Sequence, residues 1–324
     1  MVVHMNLLKL RLNMLGTLAV IFGVSTLGLA IFLSLLGSFN IFSLLFTVIF
    51  FNIIQWLIAP YLVDMMYRTK PADPTEFSEL YSTVESLSAR SGIKTPALMI
   101  AEIPIPNAFA YGSPLAGSRV AVTRGLLRDL EPEEVEAVIG HEFGHLRNRD
   151  VQVMMFVSLL PSLFYMLARY TLYSSYYSSS GRDERRNGSL ALVSSISMFV
   201  YFILLLFTLS LSRIREYFAD QHSVAVVDDG ARKLSEALAK ISMGTWRTMR
   251  QNGPQAFSGF KTLFISDPDR AAQDAESVYA YMKSDEALVR DIMSRRVTGF
   301  DQFLELFSTH PNIVKRIKAL RGQM

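Results

Sequence analysis

The stretch that decides the fold is Glu131-Pro132-Glu133-Glu134-Val135-Glu136-Ala137-Val138-Ile139-Gly140-His141-Glu142-Phe143-Gly144-His145. Proline followed by two acids marks a helix N-terminus, because proline needs no donor there and the acids favour the positive end of the helix dipole. Val135, Val138 and Ile139 continue at helical spacing into His141-Glu142-Phe143-Gly144-His145, an H-E-x-x-H pattern on a helix. Histidines at i and i+4 share one face, one turn apart, so both imidazoles can hold one tetrahedral Zn²⁺. Glu142 then projects beside the metal, where it can act on the metal's water.

Upstream, Asp73-Pro74-Thr75-Glu76 places an acid at an N-cap and proline at the first helical position. Phe77, Leu80, Val84 and Leu87 follow at helical spacing as far as Gly92. Ala97–Ile100, Asn107–Tyr111 and Val120–Thr123, set apart by proline and glycine clusters, read as three short strands of a small sheet. A catalytic zinc needs a third protein ligand and an open position. Glu216, in Arg213-Ile214-Arg215-Glu216-Tyr217-Phe218-Ala219-Asp220, is the best candidate, with Asp220 one turn on to orient a ligating histidine through its far ring nitrogen.

The surroundings of these motifs are apolar. From Leu12 to Val63 no side chain is charged, and these 52 residues hold two helical spans, about Met14–Leu36 and Ile41–Val63, with a break at Gly37-Ser38-Phe39-Asn40. The first is too long for the core of a cleaved signal peptide and runs at once into the second. Val151–Ala168, kinked at Pro161, and Asn187–Ser212 are long enough for two more spans. Eight Lys and Arg flank the spans on the N-terminal side (Lys9, Arg11, Arg68, Lys70, Arg147, Arg149, Arg213 and Arg215) against three on the other (Arg182, Arg185 and Arg186), which places both termini in the cytoplasm.

Composition agrees and excludes. Half of the 324 residues are hydrophobic, 19% are charged and the mean hydropathy is positive. A net charge of +3 is too small for a nucleic-acid surface, so no nucleic-acid partner is expected. The absence of cysteine removes disulfides, thiolate metal sites and a cysteine nucleophile.

With these motifs in place the chain resembles the HtpX family of membrane-integral zinc metallopeptidases of the gluzincin type, along nearly its whole length. The similarity lies in an N-terminal hairpin of spans, Pro106–Ala110, Val120–Leu127, the H-E-x-x-H helix, two further spans, Arg215–Asp220, and Thr309-His310-Pro311 with Arg316. It implies one zinc per chain on His141, His145 and Glu216, with Glu142 as catalytic acid and base. His310 and Arg316 become candidates to stabilise the oxyanion, and His310 alternatively a resting fourth ligand. It also implies a role in protein quality control. Asn107, Ala108 and Phe109 read as an edge strand that pairs with an extended substrate through its main chain. The chain departs from the family in a longer stretch between Trp246 and Phe307, with an extra charged segment near Asp267–Arg296.

The expected architecture is a mainly α membrane protein with four transmembrane helices and a cytoplasmic α+β zincin-like catalytic domain. Its parts are an N-terminal hairpin (1–66), a first catalytic segment (67–150), a second pair of spans (151–212) and a second catalytic segment (213–324). The expected activity is zinc-dependent endopeptidase cleavage of unfolded or misfolded membrane or cytoplasmic proteins, with the lipid bilayer of the cell membrane as the other partner. The competing readings are a membrane scaffold with a vestigial zinc site, an intramembrane protease using Asp229, and a CAAX prenyl protease, which has more spans. The zinc ligands and Glu142 are intact, and the spans contain almost no ionisable groups of the kind that line solute pathways, which favours the endopeptidase.

Overall fold

The computed structural model describes residues 41–177, 184–252 and 284–322. The expected first span, near residues 14–36, lies outside them, as do residues 267–283 of the charged segment expected near Asp267–Arg296. The described chain begins with α1 (Ile41–Tyr67), which covers the expected second span. It continues through β1 (Thr69–Pro71), α2 (Ser78–Ser91), β2 (Ala97–Ala101), β3 (Ala108–Ser113) and β4 (Gly117–Thr123). Then come α3 (Arg124–Asp129), α4 (Pro132–Arg147), α5 (Asp150–Tyr177), α6 (Glu184–Val226) and α7 (Gly230–Asn252). The last elements are α8 (Asp285–Ser294), α9 (Gly299–Glu305) and α10 (Ile313–Arg321).

The three expected strands are present, and β1, too short to show a periodicity, adds a fourth. The sheet order is β1-β2-β4-β3, with β2 and β4 parallel and the outer pairs antiparallel. Alternation along the strands sorts their side chains onto two faces. Leu98, Ile100, Ala108, Val120 and Val122 join Val84 and Leu87 of α2, Val135, Ile139 and Phe143 of α4, Leu234 and Leu238 of α7, and Ile317 of α10 in the main core. Met99, Ala101, Phe109, Tyr111 and Ala121 form a smaller apolar layer on the other face with Tyr67, whose ring lies 4.7 Å from that of Phe109.

The helix expected to start after Asp73 starts later. The Asp73 carboxylate accepts from the N–H and hydroxyl of Thr75, at 2.7 and 2.6 Å, and its carbonyl accepts from Phe77 N. Asp73 thus caps a single turn as expected, and the regular helix follows from Ser78. The stop is where expected: Gly92 takes a left-handed conformation, with φ of 66°, and its N–H and that of Ile93 close the last turn.

Two compact units emerge among the described residues, one drawn from Leu57–Val151 and Arg213–Met324, the other from residues up to Trp56 and Gln152–Ser212. Two helical stretches, Asp150–Leu172 and Gly188–Val226, are long and apolar enough to cross a bilayer. Within the second unit α5 and α6 pack through Val157, Phe164, Leu167, Val193, Val200 and Leu204. The Ser194 hydroxyl donates across the pair to the Ala168 carbonyl at 2.9 Å. Phe156, Leu192, Phe199 and Phe202 point outward, an inverted pattern suited to lipid.

Candidate active site

Helix α4 is anchored at its start by a capping box, in which the Glu134 carboxylate accepts the Glu131 N–H at 2.8 Å. Its apolar side sinks into the main core, and this orientation turns His141 and His145 together, with ring centroids 4.9 Å apart, edge to face. Opposite runs α6. A methyl group added at Gly144 would come within 2.7 Å of Ala219 Cα, so the glycine of the histidine motif is what lets the two helices approach this closely. The Ser223 hydroxyl adds a hydrogen bond of 2.6 Å to the Ala137 carbonyl.

That approach brings Glu216 to the histidines. His141 Nε2 lies 3.6 Å from Glu216 Oε2 and His145 Nε2 lies 3.4 Å from Glu216 Oε1. One nitrogen of each histidine and one oxygen of Glu216 fall within 4.8 Å of one another. Adjacent donors on a tetrahedral zinc with bonds of about 2.1 Å are separated by about 3.4 Å, so the spacing suits ligands around a common ion. Glu216 Oε2 is buried with nitrogens of His141, His310 and Arg316 within 3.6 Å, yet none of them forms a well-aligned hydrogen bond to it, which leaves the oxygen able to turn to a cation. The donor set therefore fits zinc. A second acidic group, Glu134, Glu236 and Asp285, is matched by cations of the chain: the Lys240 ammonium lies 2.8 Å from Glu134 and 3.0 Å from Asp285, and Arg232 lies 2.7 Å from Glu236.

The other expected residues gather at the same place. Asp220 Oδ1 lies 2.9 Å from His141 Nδ1. His310 Nδ1 is 3.1 Å from Glu216 Oε2. Arg316, 2% exposed, forks onto Asp220 with bonds of 3.0 and 2.6 Å and reaches Glu216 at 3.2 Å. It is held one turn into α10, whose first residues are capped by the Asn312 side chain. Glu142 Oε2 accepts the N–H of Ala110 at 2.8 Å. Since β3 is an edge of the sheet, this bond ties the acid to the outer main chain of the strand expected to receive substrate. Asn107, Ala108 and Phe109 are buried, and the main chain of Asn107 is already engaged by Thr123, whose Oγ1 accepts its N–H at 2.9 Å and whose N–H donates to its carbonyl at 3.0 Å, so Asn107 is not free to pair with a substrate. Asp229 pairs with Arg232 at the start of α7, and His222 Nε2 meets the Ser91 hydroxyl at 2.9 Å.

Sequence reasoning missed Asp150 and Arg215. The Asp150 carboxylate bonds His145 Nδ1 at 2.6 Å and takes Arg215 Nε at 3.0 Å. The two histidines are thus backed by matched sets: His141 by Asp220 and Arg316, His145 by Asp150 and Arg215. The signal available was a carboxylate just past the helix end, but Asp150 reaches back only because Arg149 turns left-handed, with φ of 54°.

Electrostatics follow from burial and these contacts. Burial opposes charge on both imidazoles, but the carboxylates win. Asp220 and Glu216 raise the pKa of His141, and Asp150 and Glu216 raise that of His145 to about 10 in the metal-free protein. Burial pushes the Glu142 carboxyl up, against the lowering by the two histidines. The site therefore holds an acid with a perturbed proton affinity beside three convergent metal donors.

Comparisons with known proteins show the family. The model of "Peptidase family M48" matches residues 74–324. A "Protease HtpX homolog" of Thermoplasma acidophilum is 38% identical, over 98% of this chain and 98% of its own length. A "Protease HtpX homolog 2" of Saccharolobus solfataricus is 36% identical, over 97% of each chain. The crystal structure of S. mikatae Ste24p is similar in fold, with a TM-score of 0.51 over 97% of this chain and 67% of that one at 16% identity. The chain belongs to peptidase family M48 and, within it, to the HtpX membrane metalloproteases.

Proposed function

We propose that the chain is a zinc-dependent endopeptidase, anchored by four spans, that cleaves unfolded or misfolded polypeptides and exposed segments of membrane proteins on the cytoplasmic side. One observation carries this reading: two imidazole nitrogens and a carboxylate oxygen converge within 4.8 Å, while Glu142 beside them is bonded to an edge strand. His141, His145 and Glu216 would hold the metal. Zinc in that site supplies a Lewis acid for the scissile carbonyl and lowers the pKa of a water to about 7.

The rest is done by the chain's own groups. Glu142 takes the proton of the attacking water and passes it to the leaving amine, and its burial raises its proton affinity toward that shuttle. His310, partly exposed beside Glu216, donates to the developing oxyanion. Arg316 is buried with its guanidinium on Asp220 and Glu216, so its part is to hold these carboxylates and not to reach the substrate. An extended peptide adds to the outer edge of β3 through main-chain hydrogen bonds, which are indifferent to side-chain identity and suit unfolded substrates. The excess of Lys and Arg at one set of span ends supports the cytoplasmic placement.

The test is cleavage of an unstructured protein by the detergent-purified, zinc-loaded chain beside Glu142→Gln, with zinc quantified in both. The variant should keep one zinc and lose about 10²-fold to 10⁴-fold in rate, the span of general acid-base catalysis. Zinc binding by both proteins without cleavage by either, in membranes as in detergent, would favour a scaffold with a vestigial site.

A further inference from the structure

The short helix α9 and the turn after it are built inside out. Phe300, Phe303, Leu306 and Phe307 are 65%, 55%, 45% and 46% exposed, whereas Glu305 between them is 7% exposed. Phe300 and Phe303 lie one turn apart on α9, and Phe307, in the turn beyond its end, packs its ring 5.5 Å from that of Phe303. The acids of the segment are consumed internally, while Gln302 is exposed. Asp301 accepts the Thr298 N–H at 2.7 Å in a capping box, and Glu305 turns inward to Lys315 and to the Asn312 N–H, at 3.1 Å from the latter. A segment that buries Glu305 and presents three phenylalanines is matched to an apolar surface and not to water.

Arg213 argues for what that surface is. It is the first charged residue after the uncharged stretch from Asn187 to Ser212, so in a membrane-spanning chain it marks the level at which α6 leaves the hydrocarbon. Its guanidinium donates to the carbonyls of Leu306 and Ser308, at 3.3 and 2.7 Å. The aromatic face is therefore tethered to the residue expected at the headgroup level. Three residues beyond Phe307 the chain reaches His310, beside Glu216.

We infer that Gly299–Phe307 is an interfacial anchor, whose aromatic face inserts shallowly into the leaflet that α6 enters and so fixes the His310 segment against the metal donors. This rests on the membrane-spanning reading of α6. The occupant is the lipid surface itself, with aromatic rings at the boundary between headgroups and acyl chains. The docking would make completion of the site depend on the bilayer.

Because the chain has no cysteine, single reporters can be placed without background. Full-length Phe300→Cys, Phe303→Cys, Phe199→Cys and Arg128→Cys are spin-labelled and placed in nanodiscs of phosphatidylcholine and phosphatidylglycerol. Each is then scored for relaxation by lipid-soluble oxygen against a water-soluble nickel chelate. Labels at 300 and 303 should favour oxygen several-fold over the label at 128 and lie shallower than the label at 199. A label at 303 as accessible to nickel as that at 128, with 199 still in lipid, overturns the inference and leaves the membrane reading standing. A label at 199 that is also aqueous overturns the membrane reading itself. Protection at 303 only after an unfolded polypeptide is added, or dipolar broadening between copies, would assign the face to substrate or to a second chain and would equally overturn it.

Discussion

Each histidine of the site is gripped from behind by a carboxylate, and each carboxylate by an arginine. Asp220 and Arg316 come from α6 and α10, whereas Asp150 and Arg215 come from the starts of α5 and the far part of α6. Such contacts fix the ring and raise its basicity as a ligand. Asp150→Asn should therefore lower zinc affinity about 10-fold to 100-fold while the metal-free fold persists, which competition with a chromophoric chelator would measure. The raised pKa values of the metal-free histidines carry a sign. At pH 7 the His145 imidazole favours the proton, and that of His141 is shifted in the same direction, so zinc must displace protons and affinity should rise with pH. Calorimetry in buffers of different ionisation enthalpy should show about one to two protons released per zinc, and fewer in Asp150→Asn. Zinc uptake with no proton release would contradict the histidine assignment. The motif histidines and the Glu216–Asp220 pair were legible because helical periodicity alone puts them on shared faces. Asp150 was not, since its contact depends on a single left-handed residue, Arg149, that no periodicity records.

Between elements, the decisive contact is that of α4 with α6. Gly144 admits Ala219 at a distance no side chain tolerates, and Glu216 sits one turn before that crossing. Gly144→Val should push α6 off and separate the carboxylate from both imidazoles, abolishing stoichiometric zinc binding. At Gly140 the nearest atoms to an added methyl are the flexible ends of Val227 and Ser223, at 3.0 and 3.2 Å, so Gly140→Ala should cost less. Equilibrium dialysis against zinc, together with thermal melts of the two variants, would separate them; equal zinc retention would show that the crossing is not what places Glu216. The helices and strands that flank this crossing were readable from apolar spacing and from proline, glycine and acidic boundaries. β1 was hidden by its three-residue length, and the regular part of α2 begins at Ser78, one turn after the Asp73 carboxylate accepts the Thr75 N–H in the cap that was expected there.

For the whole molecule, the chain order and the spatial order differ. The unit holding the site draws on Leu57–Val151 and Arg213–Met324, with the apolar helices lying between them in sequence. Neither segment contains a complete core: Val84, Leu87, Leu98 and Val138 of the first pack with Leu234, Leu238, Ile313 and Ile317 of the second. The small size of each segment made this pooling foreseeable, but the partners of individual core residues depend on tertiary packing and could not be read from either segment. The consequence is testable with fragments. Residues 57–151 carry both histidines and Glu142, yet alone they should fail to melt cooperatively and should bind zinc only weakly, because the metal lacks Glu216 and the core lacks its second half. Refolded with residues 213–324, they should regain helical ellipticity, a cooperative transition and one zinc per pair. A cooperative, zinc-loaded fold from the first fragment alone would show that the catalytic helix needs neither α7 nor α10, and that the two segments do not share a core.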